Sequence, residues 1–303
     1  MKGAVIGLGT MGPGIAATLA HGGHDMACFD VAAEQLRKAE TALPALQQVL
    51  DSIRRSERKG KVNVEADLGR AVRDAELIVE AVPEQLELKQ KVFADIERLA
   101  SGEAILASNT SGIPITRLQE AAARKGRVVG MHWSNPPQVI PMVEVIAGAH
   151  TEAAVVERTR KIIADCGLVP VLVEKDVPGF VHNRLLYAIL REALSLVEKR
   201  VISPEELDKC FKWALGLKLA VIGPMELLDV AGLDIYEAVA SYLNGDLDRS
   251  PGVSSYISEK TREKNLGMKT GRGIYHYTPQ EAEKLRVARA AKLVAVRKAL
   301  EGS

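Results

Sequence analysis

GAVIGLGTMGPGIAATLAHGGHDMACFD, residues 3–30, decides the fold. Its first seven residues are apolar and β-branched and are bounded by glycines, the pattern of a buried strand. A helix follows and stops at the pair Gly22-Gly23, and HDMACFD (24–30) is a second strand. Between the first strand and the helix, Gly7, Gly9 and Gly12 fit G-x-G-x-x-G. The first glycine allows a tight turn, the second lets a pyrophosphate approach the backbone, and the third packs helix against strand. An anion placed there meets the helix N-terminus. The loop Gly7, Leu8, Gly9, Thr10, Met11 and Gly12 is therefore expected to line a dinucleotide. Asp30 closes the second strand eighteen residues after Gly12. Its carboxylate can accept from a ribose hydroxyl and would repel a 2′-phosphate, and Val31-Ala32-Ala33 offers no arginine for one. NAD is expected rather than NADP.

Outward from this stretch, short apolar runs alternate with helical patterns. AELIVEAV (75–82), EAILASNT (103–110), RVVGMHW (127–133), MVEVIAG (142–148) and VPVLVEKD (169–176) read as strands, with helices at 32–55, 87–100 and 151–167. Such alternation predicts βαβ units in a doubly wound, mostly parallel sheet. Past VPGF (177–180) the pattern turns helical: Leu186, Ile189, Leu190, Ala193, Leu194 and Val197 form one stripe, and Ser203-Pro204 opens another helix. The expected α/β architecture is a Rossmann-type domain, 1–177, followed by an all-helical domain for substrate and dimerisation, 178–303. A chain of 303 residues also suits two cores better than one. A net charge of +1 provides no field to recruit nucleic acid or a membrane surface. Three scattered cysteines speak against disulfides and a thiolate zinc site, and no metal is called for. With a strand starting at the first residues and no spanning apolar run, a cytoplasmic setting is expected.

Three segments carry polar residues just past strand ends: SNTSG (108–112), HWSNP (132–136) with Glu144, and PGFVHNR (178–184). A histidine titrates near neutrality, and a carboxylate on one ring nitrogen leaves the other as a base. His132 and Glu144 are candidates for such a pair. Together with VEAVPEQLELK (79–89), GPMELLD (223–229) and MKTGRGIY (268–275), these segments resemble the L-3-hydroxyacyl-CoA dehydrogenase family over nearly the whole chain. The resemblance implies that His132 is the general base, that Glu144 pairs with it, and that Ser111 and Asn183 bind substrate oxygens. It further implies cofactor contacts at Glu84, Lys89, Asn135 and Lys269. The apolar helical stripes of the second domain suggest a homodimer. Asn109 either touches the nicotinamide or folds its turn. His182 faces either the substrate or the surface. His21, His24, His150 and His276 read as structural.

Acyl-CoA members of the family carry H-F-F-N-P, whereas this chain has His132-Trp133-Ser134-Asn135-Pro136-Pro137, with Pro141 before the Met-Val-Glu step. Those departures resemble a branch of the family acting on small acids. The expected substrate is thus a 3-hydroxyacyl-CoA or a related small carboxylate. The alternatives are a pyridine-carboxylate aldehyde, oxidised as its hydrate, or a non-catalytic, crystallin-like NAD binder. Arg54, Arg55, Arg58, Lys59 and Lys61 read either as a contact for the CoA nucleotide or as a solvated face.

Overall fold

The structure, a computed structural model, describes residues 1–302. β1 (Lys2–Ile6), α1 (Gly12–His21), β2 (Asp25–Phe29) and α2 (Ala33–Ile53) form the first units. They are followed by β3 (Val62–Glu65), α3 (Leu68–Val72), β4 (Leu77–Glu80), α4 (Leu86–Leu99), β5 (Ile105–Ser108) and α5 (Ile115–Gln119). Next come β6 (Val128–Trp133), β7 (Met142–Ala147), α6 (Ala153–Asp165) and β8 (Val169–Val173). All eight strands join one sheet in the order β3-β2-β1-β4-β5-β6-β7-β8. Every neighbouring pair is parallel except β6 with β7. This is the doubly wound α/β class that the alternation of runs predicts. The sequence pattern does not announce β3, a half-exposed edge strand of four residues inside a charged stretch.

Both faces of the sheet are covered, which is why its strands read as continuous apolar runs. Successive residues point to opposite faces. Val5 packs with Ile15, Leu19 and Ile163 on the face covered by α1 and α6. Ala4 and Ile6 pack with Val72, Phe93, Ile96 and Leu118 beneath α3, α4 and α5. The order of strands reverses between β1 and β4, and a crevice opens outside the carboxyl ends of strands at such a point. Gly7 sits there with φ of +101°, and a Cβ on it would lie 2.7 Å from the Ala81 carbonyl oxygen. Only glycine permits both that backbone conformation and that approach.

The chain divides into two compact units, the first Met1–Arg184 and the second from Leu185 onward. α7 (His182–Glu198) enters the second unit, and α8 (Pro204–Cys210) runs through a π-helical turn, Phe211–Gly216, into α9 (Leu217–Leu219). α10 (Pro224–Ala231), α11 (Leu233–Asp246), α12 (Ser255–Arg262) and α13 (Pro279–Glu301) complete it. Ser203 caps α8 as its sequence suggests, its hydroxyl accepting from the Glu206 N–H at 3.3 Å. Among the described residues past Arg184, only Ser195, Gly273, Ala282 and Arg297 are buried. Trp213 is 77% exposed and Val221 81%.

Candidate active site

The glycine loop is shaped for a phosphate. A Cβ on Gly12 would collide with the Gly7 carbonyl oxygen, so helix and turn close only without a side chain there. On Gly9 a Cβ would meet nothing within 4 Å, and that open side is where the backbone can be approached. The Leu8 side chain is 2% exposed and belongs to the core, whereas Gly9 and Thr10 face outward and Met11 packs partly on the core. Asp30 holds the loop: Oδ2 accepts the Leu8 N–H at 2.7 Å and Oδ1 accepts the Ala32 N–H at 2.9 Å. Each carboxylate oxygen has lone-pair capacity left for a ribose hydroxyl. The residues present fit NAD.

Beneath the neighbouring loops lies a buried ionic cluster. Glu80, at the end of β4, accepts from the Lys89 ammonium at 2.8 Å, the Ser108 hydroxyl at 2.6 Å and the Val82 N–H at 2.7 Å. Lys89, 1% exposed, also donates to the Val82 carbonyl at 3.1 Å and lies 3.4 Å from Glu84. Glu84 in turn accepts from the Thr110 hydroxyl and from the Ser111 and Gly112 N–H groups. Burial opposes ionisation of Glu84, but the Thr110 hydroxyl, Lys89 and the two backbone donors outweigh it and hold its carboxyl below the usual range. The cluster fixes the SNTSG loop.

The central pair follows from strand register. β6 and β7 are antiparallel, and His132 stands directly opposite Glu144, close enough for side chains to meet. His132 Nδ1 donates to Glu144 Oε2 at 2.6 Å, with the residues 4% and 1% exposed. Glu144 Oε1 accepts the N–H groups of Val181 and His182, both at 2.9 Å. Burial works against a charge on Glu144, yet the bonds from His132, His182 and Val181 prevail and hold its carboxyl below the ordinary range. An ionised carboxylate only accepts, so Nδ1 carries a hydrogen, and in the neutral imidazole the lone pair is then on Nε2.

The turn that aims those two N–H groups is strained. Gly179 has φ of +76° and Phe180 φ of +50°, and a left-handed conformation costs a non-glycine residue roughly 1–2 kcal/mol. Phe180 is fully buried and its ring packs 5.7 Å from the His132 ring, which offsets that cost. Asn183 Nδ2 donates to the Ser111 carbonyl at 2.7 Å, tying the start of α7 to the SNTSG loop. An imidazole, its carboxylate partner, an exposed serine and an amide thereby share one patch of the first unit.

Comparison with known proteins matches residues 2–177 to the NAD binding domain, and 179–277 to the C-terminal domain, of 3-hydroxyacyl-CoA dehydrogenase. The chain belongs to the 3-hydroxyacyl-CoA dehydrogenase family. It is an NAD-dependent oxidoreductase of that family. A 5-formyl-3-hydroxy-2-methylpyridine 4-carboxylate 5-dehydrogenase of Mesorhizobium japonicum is 51% identical over 302 residues, 99% of this chain and 98% of the relative. A solved structure of a 5-dehydrogenase of the same name, described as an NAD+-dependent dismutase, superimposes with a TM-score of 0.97 at 50% identity, covering 99% and 98% of the two chains. A probable 3-hydroxybutyryl-CoA dehydrogenase of Deinococcus radiodurans is 35% identical over 288 residues, 91% of this chain and all of the relative.

Within this family architecture, Ser111, His132, Glu144 and Asn183 converge, and Gly7 to Gly12 with Asp30 border the crevice. Asn135 is exposed in the β6–β7 loop. Asn109 folds its turn: Oδ1 accepts the Trp133 N–H at 2.9 Å. Lys269 lies in the other unit, exposed in the 3-10 turn Met268–Thr270. Sequence reasoning overlooked Glu80 and Phe180. A glutamate inside the apolar run LIVEAV, at the end of a parallel strand, is a signal that could have found Glu80.

Proposed function

We propose that the chain oxidises the aldehyde of a pyridine carboxylate, as its hydrate, with His132 as general base. The observation that carries the substrate class is the likeness to the 5-formylpyridine carboxylate dehydrogenases along 99% of the chain. The His132–Glu144 pair supports the chemistry. In the proposed reaction His132 Nε2 takes the proton of one hydrate hydroxyl, while Glu144 balances the imidazolium that forms. Ser111 and Asn183 hold substrate oxygens, and Glu84, Lys89, Asn109, Asn135 and Lys269 support the cofactor directly or through the loops they fix. NAD, when bound, accepts the hydride from the carbinol carbon.

A free carboxylate is favoured over a CoA thioester by the fate of the basic stretch 54–61. Arg54 donates to the Cys166 carbonyl at 3.1 Å and Lys59 to Asp51 at 2.7 Å, so two of its cations serve the protein itself. We also propose a cytoplasmic homodimer. The wide exposure of apolar side chains in the second unit, Trp213, Val221, Met225 and Val230 among them, supports a second copy of the chain as their cover. Three unpaired cysteines accord with a reducing compartment.

The test is NAD reduction by the purified chain with 5-formyl-3-hydroxy-2-methylpyridine 4-carboxylate, small hydroxy acids and an L-3-hydroxyacyl-CoA. Turnover concentrated on the pyridine aldehyde is expected. Preference for the thioester would overturn the substrate proposal and leave the family assignment in place.

A further inference from the structure

We infer that His182 is a second working imidazole, holding the hydroxyl of the aldehyde hydrate that His132 does not deprotonate. This rests on the aldehyde reading above. His182 opens α7, and its backbone N–H donates to Glu144 Oε1, the same carboxylate that holds His132. The main chain at 182 is thereby pinned to the base. Its ring stands 6.1 Å from the His132 ring, centroid to centroid, at an interplanar angle of 61°. Phe180 is the other ring against His132. The His182 ring is half-buried, and no group among the described residues hydrogen-bonds to it. His21, by contrast, has its ring nitrogen 3.2 Å from Asp51.

The chemistry explains why an aldehyde dehydrogenase needs a second acceptor where an alcohol dehydrogenase does not. An alcohol presents one hydroxyl, and one base suffices. A hydrate presents two on a single carbon, and a hydroxyl taken out of water without a partner is costly. With the two rings edge to edge, a hydrate lying beside the pair can offer one hydroxyl to each of them. In the step, the O–H facing His132 breaks and its proton goes to Nε2. The C–H pair leaves as hydride to NAD, and that first oxygen becomes doubly bonded to carbon. The second hydroxyl stays on the same carbon, held by His182, and is the O–H of the product acid, which ionises on release. In the reverse sense of a dismutation, reduction of an aldehyde by NADH, the carbon carries one oxygen only. His182 then has nothing to hold.

The two half-reactions therefore separate the role of His182 from that of the rest of the site. The variants are H182F, which keeps a ring without a hydrogen-bonding atom, and H182Q, which restores an acceptor. Both retain the backbone N–H on Glu144. Oxidation of the pyridine aldehyde with NAD and reduction of the same aldehyde with NADH are measured on each. H182F is expected to lower kcat/KM for oxidation by about 10-fold to 100-fold, the effect of an unsatisfied hydroxyl, and to lower the ratio of oxidation to reduction with it. H182Q is expected to recover most of the loss. If H182F does not fold, the ratio of oxidation to reduction is read on H182A. Parallel loss of both directions, or loss of neither, overturns this inference. A parent protein without turnover of the aldehyde in either direction overturns the aldehyde reading itself, and this inference with it.

Discussion

Glu144→Gln asks what the carboxylate does for His132 without opening a hole. The glutamine is nearly isosteric with a side chain that is 1% exposed. Its Oε1 can still accept the Val181 and His182 N–H groups, each 2.9 Å away in the parent. The change falls on the other arm, where His132 Nδ1 donates at 2.6 Å. An amide NH₂ there must itself donate, so His132 has to accept through Nδ1 and carry its hydrogen on Nε2. The lone pair that would take the substrate proton is gone. A positioned base contributes about 10²–10⁴ in rate, equivalent to about 3–5 kcal/mol in the barrier. Stability changes little, because weaker neutral hydrogen bonds are offset by removal of a buried charge. The assay is single-turnover formation of NADH at saturating NAD, with the dissociation constant of NAD measured by calorimetry on the same preparation. A fall of about 10²-fold or more with unchanged NAD affinity is expected. Turnover within about tenfold of the parent in a folded variant would refute the tautomer argument.

Other residues give independent checks. K89M strands Glu80, 0% exposed, without its cation, and should cost about 3–5 kcal/mol in chemical denaturation; the double variant K89M/E80L should recover part of that loss, and a neutral K89M would show that the pair contributes nothing. Asp30→Ser removes the charge that repels a 2′-phosphate and one hold on the Leu8 N–H, so NAD should weaken about tenfold while NADP gains relative to it, read as a ratio of dissociation constants. Burial holds the His24 ring below its ordinary value of 6.5. Between about pH 7 and 5 the unfolded chain then takes up a proton that the folded chain refuses, and stability falls as pH falls. In urea titrations H24L should flatten that slope, and an unchanged slope would exclude His24 as a source.

Much of the first unit is legible in the sequence because its signals are local. Gly7 and Gly12 announce a turn that only glycine can make, and runs such as AELIVEAV announce strands covered on both faces. β3 escapes because VNVE is short, half-exposed and flanked by charge, so neither length nor alternation marks it. His132 and Glu144 are legible as candidates, but their contact depends on antiparallel register between β6 and β7, which no single segment encodes. The same holds for Glu80 and Lys89, whose partners come from the ends of two separate strands, β4 and β5. Phe180 lies outside any periodic pattern, and its left-handed φ is visible only in the folded turn.

The most direct test of the account is His132→Gln, assayed for NAD-linked oxidation of the pyridine aldehyde beside its affinity for NAD. The account predicts loss of nearly all turnover with the dissociation constant for NAD unchanged, because the base and the glycine loop are separate devices. Near-parental turnover in that variant would contradict it.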